Sequence, residues 1–250
     1  MPVTRNVAWD EDLASFKGRD TTHYVITAAA IATTCAACYR RLQPDEPLSL
    51  SVDIIESTAP DGTEYVTFTD YVFHRQCSEP GLTVGRAPWK PADLTPRAAR
   101  MVLTQEPLPG SPGTVVAALA YTLTPVVSFR ERDGELTSAL VSILLSHGFQ
   151  LAMSPEYTDI LQQAAEVEVE DGCCVAVTGA VLTVTVGGET IYSEQLNLKN
   201  PDDAQWLEAA GKGSALLIAG DNLVITDTML DMSAAAHLGT LVIGYVPIKT

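Results

Sequence analysis

Cys35-Ala36-Ala37-Cys38 and His74-Arg75-Gln76-Cys77 are two short motifs of one design, each setting two metal-binding side chains three positions apart. What lies between them decides whether they meet. From Ser49 to Ile55 the chain alternates, with Leu50, Val52 and Ile54 on one face and Ser51 and Asp53 on the other, the period of a half-buried strand. Pro60-Asp61-Gly62 is turn chemistry, since proline presets φ and glycine accepts a positive φ. Tyr65 to Phe73 is rich in aromatic and β-branched residues and reads as a second strand. Two strands joined by a turn bring His74 back beside Cys38, so the 35 residues between them form a hairpin.

Three thiolates and an imidazole suit zinc, which takes Cys and His in a tetrahedron at about 2.0–2.3 Å. In C-x-x-C a tight turn aims both sulfurs at one ion while intervening amides donate to them. Cys35, Cys38, His74 and Cys77 together fill the coordination sphere and leave no position for water, so the expected zinc is structural rather than catalytic. The pattern Cys35-x2-Cys38 … Tyr71-Val72-Phe73-His74-x2-Cys77, with a hairpin between, resembles zinc-knuckle modules of the treble-clef type and one half of a LIM domain. The resemblance covers about residues 33–80, implies zinc and a local fold, and names no function. A thioredoxin-like redox role for Cys35-x-x-Cys38 would want a long helix after the motif, and Pro44 and Pro47 follow too closely.

Composition sets the wider frame. With 46% apolar and 18% charged residues, 250 residues can bury a core in one or two domains. No apolar run approaches the ~18 residues of a membrane span. The N-terminal segment, with Asp10, Glu11 and Asp12, lacks the basic and apolar regions of a signal peptide, so a cytoplasmic location is expected. Five cysteines, two of them adjacent (Cys173 and Cys174), do not look like a secreted disulfide framework. The net charge of −16 is uneven: residues 1–100 carry 10 Lys+Arg against 13 Asp+Glu, and residues 101–250 carry 5 against 18. The acidic second part repels phosphate backbones and argues against nucleic acid as a partner.

The rest of the chain points to an α+β fold: a small zinc-stapled hairpin module followed by a mixed, largely antiparallel α+β domain. Residues 1–22 read as an irregular arm, and His23 to Ala32 as a strand. Thr95-Pro96 looks like the cap and first position of a short helix to Leu103, and Glu106 to Gly113 like a proline-rich linker. This divides the chain into residues 1–94, 95–113 and 114–250. In the last part, Thr114–Tyr121 and Val126–Arg130 are strand candidates. Helical spacing follows from Leu136 to Leu144, and another helix opens at Ser154-Pro155-Glu156. Cys173 to Val186 reads as one long strand, turning at Gly187-Gly188 into Thr190–Ser193. Asn200-Pro201-Asp202-Asp203 is a strong helix start, ended by Gly211. Ser214–Ala219 and Leu223–Asp227 should pair across Gly220-Asp221-Asn222, and Thr240–Val246 is a final strand.

The function expected first is a cytoplasmic zinc-binding protein acting as a binding or structural module, its partner another protein or a copy of itself. Two readings compete with it. One is an enzyme, a hydrolase or transferase, using Asp and Glu with His147 in the C-terminal part. No G-x-S-x-G, H-E-x-x-H or G-x-G-x-x-G motif supports that, and Asp221, Asp227 and Asp231 do not meet calcium-loop spacing. The other is nucleic-acid binding through Arg40, Arg41 and Arg75, against which the overall charge stands.

Overall fold

A computed structural model describes residues 1–43, 45–88, 90, 94–105, 114–131, 134–168, 172–226 and 229–249. The chain opens with β1 (Val3–Thr4), β2 (Val7–Ala8), α1 (Ala14–Lys17) and α2 (Thr21–Ile31), then β3 (Leu48–Thr58), β4 (Glu64–His74) and β5 (Gly81–Arg86). Next come β6 (Thr95–Gln105), β7 (Thr114–Thr124), β8 (Val126–Arg130), β9 (Leu136–Ser138), α3 (Ala139–Ser146), β10 (Gln150–Leu151) and α4 (Tyr157–Gln163). The remainder is β11 (Cys174–Thr178), β12 (Val181–Val186), β13 (Glu189–Gln195), α5 (Pro201–Ala210), β14 (Ser214–Gly220), β15 (Val224–Ile225), β16 (Leu230–Asp231), α6 (Ser233–Leu238) and β17 (Leu241–Lys249). The mixture of helix and strand, with strand dominant, is of the α+β kind.

Two compact units emerge, and the chain passes between them more than once. The first comprises Met1–Leu94 and Pro125–Ala139, the second Thr95–Thr124 and Leu140–Thr250. This is not the three-part division expected from the prolines, because residues 126–138 belong to the first sheet. β8 pairs antiparallel with β4 (Tyr65↔Phe129), bringing those two rings into tilted contact at 5.2 Å, and Arg130 reaches Glu56 at 2.8 Å. The expected linker 106–113 lies outside the described residues, as do Glu170, Asp171 and Asp227.

In the first unit the sheet runs β1-β2-β3-β4-β8-β9, with β5 on the second edge of β3. The alternation seen from Ser49 to Ile55 holds: Leu50, Val52 and Ile54 are buried, and Val66, Phe68 and Val72 of β4 join them. The N-terminal segment covers this face. Residues 23–31 are helical, not a strand. Thr21, Tyr24, Val25 and Ala28 of α2 are buried, and this helical spacing overrides the β-branched Val25-Ile26-Thr27 run. Lys17 lies over the rings of Phe68 and Tyr24, at 3.4 and 4.5 Å from their centroids.

In the second unit the sheet order is β13-β12-β11-β17-β14-β7-β6, with β10 on β17. Its central strands are apolar on both faces, as strands covered on both sides must be. Leu119, Tyr121 and Leu217 face one core with Leu144 of α3 and Trp206 of α5. Ala118, Leu216 and Ile218 face another with Ile160 of α4 and Ala236 of α6. The Trp206 indole N–H donates to the Ala118 carbonyl at 2.9 Å. Residues 95–105 are strand β6 rather than a helix, paired with β7 along their length. Side chains alternate there, Ala98 and Val102 to one core, Met101 and Leu103 to the other.

Two further expectations change. Cys173–Val186 is two strands, because Gly179 (φ 57°) and Ala180 (φ 71°) form a tight turn between β11 and β12. β14 does not pair with residues 223–226: it lies parallel to β7 and antiparallel to β17, while β15 pairs with β16. The Gly187-Gly188 turn into β13 is present. So is the α5 start, where the Asn200 side chain accepts from Asp202 N–H at 3.1 Å. No helix among the described residues is long and apolar enough to cross a membrane.

Candidate metal centre

β4 supplies the frame. Its ladder with β3 runs from Thr58↔Glu64 to Leu48↔His74, so His74 closes it. β8 occupies the other edge of β4 only from Tyr65 to Phe68. Further along that edge sits the Cys35 turn, whose Ala36 N–H donates to the Val72 carbonyl at 3.0 Å. The turn is a miniature hairpin, bridged between Thr34 and Arg41. Cys35 N–H donates to Arg40 O and Tyr39 N–H to Cys35 O, both at 2.9 Å. Tyr39 takes a left-handed φ of 59° to reverse the chain. On the other side, Cys77 N–H donates to the His74 carbonyl at 2.8 Å, making His74-x-x-Cys77 one turn. The chain then enters β5, so the helix that a treble clef would place after Cys77 is not formed.

The four sequence-predicted ligands are brought together. One donor atom from each of Cys35, Cys38, His74 and Cys77 lies within 4.8 Å of all the others. Donors about 2.3 Å from a tetrahedral centre stand roughly 3.8 Å apart, so the cluster has the dimensions of a site that can hold a metal ion. His74 Nδ1 is 3.3 Å from Cys38 Sγ and 3.8 Å from Cys77 Sγ. Its Nε2 faces the opposite way, 3.3 Å from the Arg41 carbonyl and 3.3 Å from Glu46 Oε2. An Nε2–H donated outward leaves the Nδ1 lone pair for the cluster, the outer-partner arrangement that fixes a metal-bound imidazole.

The electrostatics favour a cation among these sulfurs. Arg40, with Nε 3.5 Å from Cys38 Sγ, pushes that thiol down to about 6. Burial raises the Cys35 thiol, but backbone N–H groups, that of Cys38 first, outweigh it and bring the thiol below the usual range. Cys77 is pushed the other way, by burial and then by the Cys38 and Cys35 sulfurs. Burial would lower His74, yet the Cys38 and Cys35 sulfurs outweigh it and raise the imidazole. Donors from Arg40 and the backbone hold two thiols low, neighbouring sulfurs and burial hold the third high, and a divalent cation among them would relieve that crowding.

Sequence reasoning missed the outer partners. The Arg40-Arg41 pair was visible beside Cys38, but nothing marked Glu46, or the Arg41 carbonyl, as reaching His74. Among the described residues no other group of three or more His, Cys, Asp or Glu gathers as a metal site. Asp231 accepts from Ser233 N–H at 2.8 Å, a local turn bond just before α6. His147 lies against the Gly187 backbone, where a Cβ would stand 2.6 Å from its Nε2. Cys173 and Cys174 are buried, and no cysteine is in a disulfide.

One polar cluster in the second unit was not visible in the sequence. Arg100 pairs with Asp203 at 2.7 Å and with Glu194, and the Tyr192 hydroxyl donates to Glu194 at 2.6 Å. The cluster borders a cleft of about 830 Å³. Arg100 is shared between two carboxylates there, an ion-pair network internal to the fold. No protein-family model, no curated protein and no solved structure matches this chain.

Proposed function

We propose that Cys35, Cys38, His74 and Cys77 hold one structural zinc ion in a zinc-knuckle-like site. On this reading the chain serves in the cytoplasm as a zinc-stapled binding or structural module, engaging a protein partner or a copy of itself. The observation that carries the proposal is the orientation of His74. Its Nε2 is taken by Arg41 and Glu46, and its Nδ1 is aimed at the sulfurs of two segments far apart in sequence. Bound there, zinc would neutralise the thiolates and tie residues 35–38 to the end of the β3–β4 hairpin. With three sulfurs and one nitrogen present, the donor set is complete without water, and the role that follows is support of the fold.

Two of the three arginines of the nucleic-acid reading are engaged within the fold, Arg75 with Glu79 at 2.7 Å and Arg40 with Cys38, which leaves Arg41. Cobalt(II) substitution tests the proposal. A closed Cys3His site gives intense sulfur-to-metal absorption and a tetrahedral visible band that added anions do not change. A weak, anion-sensitive spectrum would mean an open position and a different role.

A further inference from the structure

A cleft of about 650 Å³ in the first unit lies between α2, the β1–β2 turn and the Thr34–Arg41 bridge. Its floor is apolar, made by Ile26, Ala29 and Leu42, and its rim carries Arg5, Arg41 and Gln43. In a chain with 31 Asp+Glu against 15 Lys+Arg, no acidic residue among the described residues lines this cleft. Glu46, whose carbonyl accepts from Asn6 at the rim, has its carboxylate 3.3 Å from His74 Nε2. Among the described residues neither Arg5 nor Arg41 has a side-chain ion pair or hydrogen bond.

Arg5 stands out on independent grounds. The pairing Thr4↔Val7 makes Arg5-Asn6 a two-residue turn, and Arg5 holds φ at 54°, where glycine is favoured. A long cation at this turn position is an outlier that invites a functional reading. The helix adds a third observation. Tyr24, Val25 and Ala28 of α2 are buried in the core, while Ile26, Ala29 and Ala30 form a second apolar stripe that faces the cleft. Ala29 also packs against the unit's core, while Ile26 and Ala30 do not and are left to the cleft.

We propose that this cleft binds a small organic anion with an apolar chain, its carboxylate or phosphate held between Arg5 and Arg41 and its chain along Ile26 and Ala29. The volume falls in the range of small-molecule sites, ~300–1,000 Å³. Two arginines without an ion-pair partner among the described residues supply the anion specificity. The site does not depend on the zinc assignment. Because Arg41 sits in the same turn as Cys38, binding is compared at one fixed metal content.

Calorimetric titration of the full chain with octanoate, octyl phosphate, octanol and octylammonium tests the proposal. Octanoate or octyl phosphate should bind at one site, and the tighter of the two identifies the head group. Octanol and octylammonium should bind at least tenfold more weakly. Arg5→Gly removes the cation and relaxes the turn, so binding should fall at least tenfold while the melting temperature stays equal or rises. Ala30→Glu, an exposed helix position, should also abolish anion binding in a folded protein. Equal binding of octanol, no binding of either anion at millimolar concentration, or unchanged binding in both folded variants would overturn the proposal.

Discussion

His74 shows how much one side chain settles. It ends the β3–β4 ladder, its carbonyl accepts from Cys77, and its two ring nitrogens face opposite partners. His74→Ala or Cys38→Ser should therefore lose the metal and lower the melting temperature of the first unit, read by metal analysis and calorimetry. Glu46→Gln should keep the metal with affinity weakened about tenfold, as outer-partner substitutions do, read by competition with a chromophoric chelator. Asp203 carries the other residue-scale prediction. Burial would raise its carboxyl, but the Arg100 hydrogen bond and Asn197 N–H outweigh it and hold it below the ordinary value. A depressed carboxyl stabilises the fold above its unfolded pKa of about 3.9, and that contribution is lost as pH falls through the folded value. Asp203→Asn should cost about 3 kcal/mol at pH 7, by leaving Arg100 without its buried partner. The cost should shrink as pH falls below about 3.9 towards the folded value, as urea melts across that range would show.

At the scale of the element, reading succeeded where one signal dominated. The alternation of Leu50, Val52 and Ile54 and the cap Asn200-Pro201 needed no tertiary context, and both elements formed. Reading failed where a local signal was outvoted. Thr95-Pro96 carries the look of a helix start, but alternate residues from Ala98 to Leu103 face two different cores, and only a strand supplies that. Val25-Ile26-Thr27 favours a strand by propensity, but burial of Tyr24, Val25 and Ala28 on one side selects a helix. The β11–β12 turn was missed because Ala180 occupies a left-handed position that glycine would have advertised. Ala180→Gly should for that reason stabilise the second unit by about 1 kcal/mol, measured by denaturant midpoint. Gly244→Ala should do the opposite. Its Cβ would stand 2.6 Å from Val167 Cγ2 and 2.8 Å from Phe149 Cδ1, an overpacking cost of about 1–3 kcal/mol.

For the whole molecule, the metal cluster was legible from spacing alone, since two i, i+3 ligand pairs around a hairpin can meet in few ways. The partition into units was not. Residues 126–138 return to the first sheet through pairing with β4 and β8, and the lone Pro125 at that crossing reads only as a turn between two strands, not as a change of unit. Each unit has its own core, so metal removal should act on one of them. Hydrogen exchange after chelation should show lost protection in residues 33–78 and unchanged protection in β7, β14 and β17. The most direct test of the central claim is the metal content of the purified chain measured alongside its melting temperature. The account predicts one zinc per chain, absent from Cys35→Ser and Cys38→Ser, with a lower melting temperature in both. A chain purified from zinc-supplied cells without metal, whose melting temperature neither chelator nor Cys38→Ser shifts, would contradict it.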